Sequence, residues 1–560
     1  MEYRIKKGIT RGIVGIFSLI VLFLTVISII STCEENQKEH IYFVKDYPVL
    51  HLVTFIFVLT LGVLFVRFGN QFDMRKRNIV CKILLAVYTC ILVIVTLTMQ
   101  IQPVADQKQI VDIAKEMIAG DFSEFAAGGY LSTYSNQIGI TCIFYCIFKC
   151  LPFGVDSIRI LNVFCYMGSL ILLNKIGNKI LGAKLENSVG IMYILFIPLT
   201  LYIPFIYGNM IGFFFSLLAI KNVIEYREIP QIRKVVWIIL GCSVAVLIKQ
   251  NYLITVIAVV LYLIGNIVFD KNAKAVGVVA ITIIAVFIGN FLVTARMESL
   301  SGEQLGDGLP AVSWVAMGLQ QGTMANGWYN SYNIDIYEES GYDRKNTEQV
   351  AITYIKDRFR YFAKHPSQFV MFFLKKNASQ WNHSTFEGFW INSSSMRENL
   401  GYKVENTEGF LCFLTDEKAS LILRKYCNIF QTIILLGACA WLVLSGKKIT
   451  WEQLILAVVF IGGFLFHTFW EAKSQYTLTY FVLLIPYSVA GLGRLISGLN
   501  EKIEQVRTKN VRERSVKNEA CKFILVTCVF IVFCACIEKK LNNSPLCYET
   551  ELYYEYLNEL

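Results

Sequence analysis

Apolar residues along this chain come in long runs, not in strict alternation with polar ones. Runs of about 18 to 23 residues recur, the length a helix needs to cross a bilayer core of roughly 30 Å. A spanning barrel would show short alternating strands instead. The pattern predicts an all-α polytopic membrane protein with about 13 transmembrane helices. The first three lie near Gly12–Ile30, Val49–Val66 and Ile79–Thr98. Six follow near Ile158–Leu173, Val189–Pro204, Met210–Ile224, Val235–Leu247, Leu253–Phe269 and Ala275–Thr294. The last four lie near Ile429–Leu444, Leu454–Phe469, Leu478–Leu495 and Phe523–Ile537.

Charge orients these spans. Arg4, Lys6, Lys7 and Arg11 precede the first, Glu34, Glu35 and Glu39 follow it, and Arg67, Arg75, Lys76 and Arg77 follow the second. Basic loops stay in the cytoplasm, so the N-terminus is expected inside. The first run lacks a small-residue cleavage site and reads as a retained span. One run breaks the rhythm: Ile138–Leu151 has about fourteen residues, includes Lys149 and ends at Pro152 and Gly154, which suits a surface-lying helix better than a span. If it crossed, Lys175, Lys179 and Lys184 would fall outside; if it does not, they fall inside, as the charge rule requires.

The chain then divides into N-terminal spans (1–100), an outer loop with interfacial helices (101–155) and a transmembrane core (156–295). A mixed extracellular cap (296–425), C-terminal spans (426–495), a basic cytoplasmic loop (496–520), and a last span with an outer tail (521–560) follow. The cap is too long to be a simple connection. With 55% hydrophobic and only 17% charged residues, the net charge of +10 belongs to topology-setting loops and gives no reason to expect nucleic acid. Most of the 16 cysteines lie in or beside apolar runs, where they act as small hydrophobes. Cys33, Cys412, Cys427 and Cys547 fall outside them, without a CxxC metal spacing, and a disulfide among them is left open.

Polar side chains cluster where spans are expected to end on the outer side. Asp106 follows Pro103 at the exit of the third span, with Asp112 and Glu116 at i, i+4 spacing on the next helix. Tyr130, Tyr134, Asn136 and Gln137 introduce the short helix, and such side chains hold sugar hydroxyls and phosphate oxygens. Tyr207-Gly208-Asn209 and Lys249-Gln250-Asn251-Tyr252 occupy two further outer turns. There the lysine either snorkels to headgroups or serves as a point charge for a phosphate. His467 to Tyr476 adds Glu471, Lys473 and Gln475 at another outer end; Glu471 and Lys473 can pair with each other, and His467 reads as structural. No HExxH, Walker loop, GxSxG or cysteine–metal pattern occurs.

With these clusters in place, the chain resembles the GT-C membrane glycosyltransferases, and within them the bacterial branch related to protein mannosyltransferases. The likeness rests on Asp106 in the first large outer loop, Tyr134-Ser135-Asn136-Gln137-Ile138-Gly139, the lysine–amide turn at Lys249, Gly327-Trp328-Tyr329-Asn330, and Trp470-Glu471 with Tyr476. It covers nearly the whole chain. Relatives often carry a second acid after the first, where this chain has Gln107, and an Arg where it has Gln475. A divalent metal is therefore not supported, and no cofactor is expected.

The resemblance implies an inverting transfer of a sugar from a polyprenyl-phosphate carrier, at the outer face of the cytoplasmic membrane, to a glycan acceptor in preference to protein. Asp106 is the expected base. Tyr134, Asn136, Gln137, Asn209, Lys249, Gln250, Glu471, Lys473 and Tyr476 are the expected donor- and acceptor-binding residues, with membrane lipid as the other partner. Two other classes stay open. A transporter of lipid-linked sugars would show repeats and broken helices. A polysaccharide polymerase or ligase would depend on outer arginines such as Arg344, Arg358, Arg360 and Arg397.

Overall fold

The computed structural model describes residues 2–69, 74–98, 101–182, 187–306, 308–393, 398, 401, 414, 418–508, 515–537, 546 and 549–559. Lys184, Arg397, Cys412 and Cys547 lie outside the described residues. The chain is a helical bundle whose one sheet, among the described residues, is a two-stranded hairpin.

Among the described residues, eight helices are long and apolar enough to cross a membrane: Tyr3–Ile30, Pro48–Arg67, Ile79–Thr98, Val155–Leu181, Gln250–Asp270, Lys274–Ser301, Ala419–Lys448 and Trp451–Phe469. A ninth forms if Ser474–Val482 and Ile485–Gln505, bent by 49° at their junction, count as one. Pro486 in the first turn of the second piece cannot donate to the preceding turn, so the helix restarts there at a new angle. Ile83, Leu84, Phe287 and Phe291 stay exposed on the outside of the bundle. Such apolar surface is costly in water and at home in hydrocarbon, so the bundle is built for a multi-pass membrane setting.

Several expectations need correction. The stretch expected as one span over Val189–Pro204 is two short helices, Ser188–Leu195 and Ile197–Leu201, with the chain breaking at Phe196 ahead of Pro198. Asn209–Glu228 is a continuous helix, but Lys221, Asn222 and Glu225 dilute its apolar character, and Ile232–Ile248 has only 17 residues. The described part of the 296–425 region is helical, with Ala311–Met317, Tyr332–Glu339, Arg344–Lys364 and Pro366–Trp381, and no strand. The strands come instead from the first outer loop: Ser31–Glu35 (β1) pairs antiparallel with Ile41–Lys45 (β2). Both β1 and β2 are covered at their outer edges. Cys33 N–H donates to the Asn382 carbonyl at 3.1 Å, and the N–H groups of Phe43 and Lys45 donate to the side chains of Glu549 and Thr550. The short run behaves as its length requires, forming a 13-residue helix, Ile138–Cys150.

The two ends of the bundle carry different polar contacts. At one end, Lys6 meets Glu452 at 2.8 Å, Arg227 meets Asp270 at 2.5 Å and Glu452 at 2.6 Å, and Arg67 donates to Asn500 at 2.8 Å. At the other end lie the hairpin, the 101–155 loop and the cap.

Candidate active site

Asp106 is the first residue of the helix Asp106–Ala119, a position where the N-terminal partial charge favours an acid. The preceding Ala105 has φ +49°, a left-handed value uncommon outside glycine, so the chain turns sharply after Pro103. Gln107 is buried, and its side-chain oxygen accepts from the Ile206 N–H at 3.0 Å. The residue that replaces a second acid thus ties the 204–207 segment beside Asp106.

That tie brings Tyr207 to the acid. Its hydroxyl donates to Asp106 Oδ2 at 3.1 Å and accepts from Gln137 Nε2 at 2.6 Å, while the Tyr130 hydroxyl donates to Asp106 Oδ1 at 3.2 Å. Burial first, and the Asp106 charge second, hold both phenols well above their ordinary pKa, so they remain donors. Gln137 can reach Tyr207 because Gly139 lets the short helix pack on the end of Ile232–Ile248: a Cβ there would stand 2.1 Å from the Leu247 carbonyl oxygen.

Lys249 follows that same helix end. Its ammonium donates to Asn209 Oδ1 at 2.9 Å and lies 4.7 Å from the Tyr207 ring centre and 5.3 Å from that of Tyr476. Burial pushes the amine down to about 7, and the charges of Asp106 and Glu471 counter this only in part. A cation held by an amide and two ring faces keeps its attraction for an anion.

Glu471 is buried, and desolvation raises its carboxyl to about 7 against the pull of Lys473, with Asp106 and Glu39 adding to the rise. Lys473 has a different fate from Lys249. It pairs with Glu39 at 2.5 Å, and Glu39 and Glu387 outweigh its burial to keep it firmly protonated. Glu387 is fully buried beside Glu39, its carboxyl raised by burial, and Oε2 accepts from the Gln475 N–H at 2.8 Å. Trp470 and Trp314 stack with ring centres 5.8 Å apart and planes 6° apart, and Tyr134 stands 6.5 Å from Trp314 and 4.9 Å from Tyr130.

The structure therefore brings Asp106, Tyr134, Gln137, Asn209, Lys249, Glu471, Lys473 and Tyr476 to one neighbourhood at the capped end of the bundle. Asn136 is half-buried on the turn before Gln137, whereas Gln250 is exposed and takes no part in these contacts. Asp112 bonds Lys108 and Glu116 is exposed, so neither joins the cluster. The motif at 327–330 is mostly support. The Gly327 carbonyl accepts from Ala472 N–H at 2.8 Å, and the Trp328 indole donates to Ser379 Oγ at 2.8 Å. Buried Lys376 donates to the Gly318 and Trp470 carbonyls and is lowered by burial to about 7, which locks the cap to the 470 loop.

Glu39 and Glu387 escaped the sequence reading as site residues. The one available signal was the run Ile41-Tyr42-Phe43-Val44 after an acid, a strand pattern inside a presumed loop. Of the outer arginines, Arg358 donates to the Leu319 carbonyl at 2.9 Å over the Phe362 ring, and Arg360 pairs with Asp357 at 2.6 Å. Both serve the cap's own packing. Among the described residues, no group of three or more His, Cys, Asp or Glu is arranged to hold a metal ion. No protein-family model matches the chain, and no curated protein is significantly similar to it.

Proposed function

We propose that the protein is an inverting glycosyltransferase of the GT-C type, moving a sugar from an undecaprenyl-phosphate carrier to a cell-wall or surface-polysaccharide acceptor at the outer face of the cytoplasmic membrane. The observation that carries this reading is the pairing of one acid and one cation in a single aromatic setting. The Asp106 carboxylate is held only by two phenols, and Lys249 near it by an amide and ring faces. In the reaction, Asp106 takes the proton of the acceptor hydroxyl as its oxygen attacks the anomeric carbon from the side opposite the phosphate. The bond from that carbon to the phosphate oxygen breaks, the electron pair leaves with the lipid phosphate, and Lys249 stabilises the charge that develops there. Tyr130 and Tyr207 fix the carboxylate, and Glu471 and Tyr476 complete the wall.

Thirteen crossings with the N-terminus inside belong to the same reading. Lys6, Arg67 and Arg227 gather at the end of the bundle away from the site, as cytoplasmic loops should. The hairpin, the site, Leu546, Glu549 and Thr550 share the other end, which requires an even number of crossings between residue 45 and residue 546.

The test is transfer in membranes supplied with undecaprenyl-phosphate sugar and acceptor. Asp106→Asn should lower the rate by about 10³-fold, the middle of the range for a general base, while the protein stays folded. Full transfer by that variant would end the assignment.

A further inference from the structure

We infer that Tyr134, Trp314 and Trp470 form an acceptor subsite for an uncharged glycan chain, next to the acid that activates its hydroxyl. The inference rests on the transferase reading above and names the substrate class that reading leaves open.

The rings form a connected strip that begins at the acid. The hydroxyl of Tyr130 bonds Asp106, and ring centres then step by 4.9 Å to Tyr134, 6.5 Å to Trp314 and 5.8 Å to Trp470. All four side chains are half-buried, unlike Trp328, Trp381 and Trp441, which are sealed in the core. Two parallel indoles left partly open to solvent need an explanation other than core packing. Trp470 is itself stacked on Phe466 at 4.9 Å and so backs Trp314, on whose other face a pyranose ring would lay its C–H face while its hydroxyls reach out sideways to polar groups. One such group is at hand: Glu471 follows Trp470 directly.

Charge then selects among glycans. Acids flank this strip: Asp106 is bonded by Tyr130 at one end, and Glu471 follows Trp470 at the other. The cations nearby are committed: Lys473 to Glu39, Lys376 to two backbone carbonyls, and Arg344 of the cap to the Gly308 carbonyl at 3.2 Å. A phosphate-rich polymer would meet repulsion here, whereas a neutral saccharide would not. A peptide acceptor would most simply add to a free strand edge, but β1 and β2 are both covered, by the 382–384 backbone and by Glu549 and Thr550. Lys249 lies against the Tyr207 and Tyr476 rings and donates to Asn209, so the cation assigned to the donor phosphate has its own set of contacts.

The experiment is isothermal titration of the full-length protein in lipid nanodiscs. The titrants are a set of neutral hexose tetrasaccharides, a serine/threonine pentapeptide and a glycerol-phosphate oligomer. At least one tetrasaccharide should bind, and Trp314→Ala should weaken it by about tenfold, within what one aromatic stack contributes. Trp314→Phe should restore part of the loss. That rescue separates stacking from misfolding, which a thermal melt checks directly. Binding of no tetrasaccharide, unchanged binding in Trp314→Ala, or preference for the peptide or the phosphate oligomer would overturn the inference. If tetrasaccharide binding depends on Trp314 but Asp106→Asn transfers normally, the subsite stands and the transferase mechanism falls.

Discussion

Two polar assemblies lie at the same end of this bundle, only a hairpin apart, and they are built on opposite principles. In the first, Glu34 and Glu35 of β1 meet Arg424, Glu35 also meets His383, and Asp46 is bonded by Lys425 and Asn428. Burial would raise the Glu35 carboxyl, but Arg424 and His383 outweigh it and hold it well below the usual carboxylate range. Every charge there has an opposite charge in contact. In the second, Asp106 has two phenols and Lys249 an amide and two rings. The first assembly is saturated and fastens β1 to the 418–445 helix. The second is left electrostatically incomplete, with Asp106 itself exposed, and such incompleteness is what a substrate can use.

The contrast can be broken by mutation, and Asp106→Asn gives the largest effect, about 10³ in rate, with thermal stability little changed because the amide oxygen still accepts from one tyrosine and the amide N–H can donate to the hydroxyl of the other. Arg424→Ala should do the reverse. Stripping a buried acid pair of its cation costs about 3–5 kcal/mol, visible as a large drop in melting temperature and in folded yield. If instead Arg424→Ala stayed stable while losing donor turnover, the two assemblies would not be separable in this way. Lys249→Met comes next. Loss of one charge-assisted contact to a phosphate is worth about 1.5–3 kcal/mol, so the donor KM should rise by roughly 10- to 150-fold with the acceptor KM unmoved.

Acidity sharpens the same point. Lys249, lowered by burial to about 7, is cationic below that pH and neutral above it. The donor KM should therefore rise as pH increases from 7 to 9, by up to about tenfold per unit, and Lys249→Arg should flatten the profile because guanidinium stays charged. A flat profile in the natural protein would mean that Lys249 does not hold the phosphate. The smallest effect belongs to the opposite end of the bundle. The Lys6–Glu452 pair has side chains 31% and 33% exposed, and Lys6→Ala should change stability by less than about 1 kcal/mol and leave transfer intact.

Sequence carried the local part of this architecture. The length of the run Ile138–Leu151 predicts a short helix, and a 13-residue helix stands there. It also singled out Asp106, Lys249 and Glu471, because a polar side chain at the end of an apolar run has few ordinary reasons to be there. What it missed depends on partners far along the chain. The Glu39–Lys473 pair and the Cys33–Asn382 bond join segments that no local period connects. The break at Phe196 was hidden for another reason. Hydropathy sums over Val189–Pro204 without regard to Pro198, although that proline was in plain view. The cap looked mixed because its helices carry charge on most faces, as Arg344–Lys364 does, and so lack a strong apolar stripe.

The hairpin's covering by Leu546, Glu549 and Thr550 has a consequence in time. Synthesis runs from the N-terminus, so β1 and β2 emerge early and wait through most of the chain before Glu549 and Thr550 arrive to occupy the β2 edge. Until then Glu39 has no Lys473 to meet, Arg424 has not reached Glu34, and an open strand edge faces outward. Asp106 is made some 370 residues before Tyr476, so its surroundings close late. A nascent chain halted between them would hold the acid without Glu471, Lys473 or Tyr476, so the pocket forms only after residue 476 has been made.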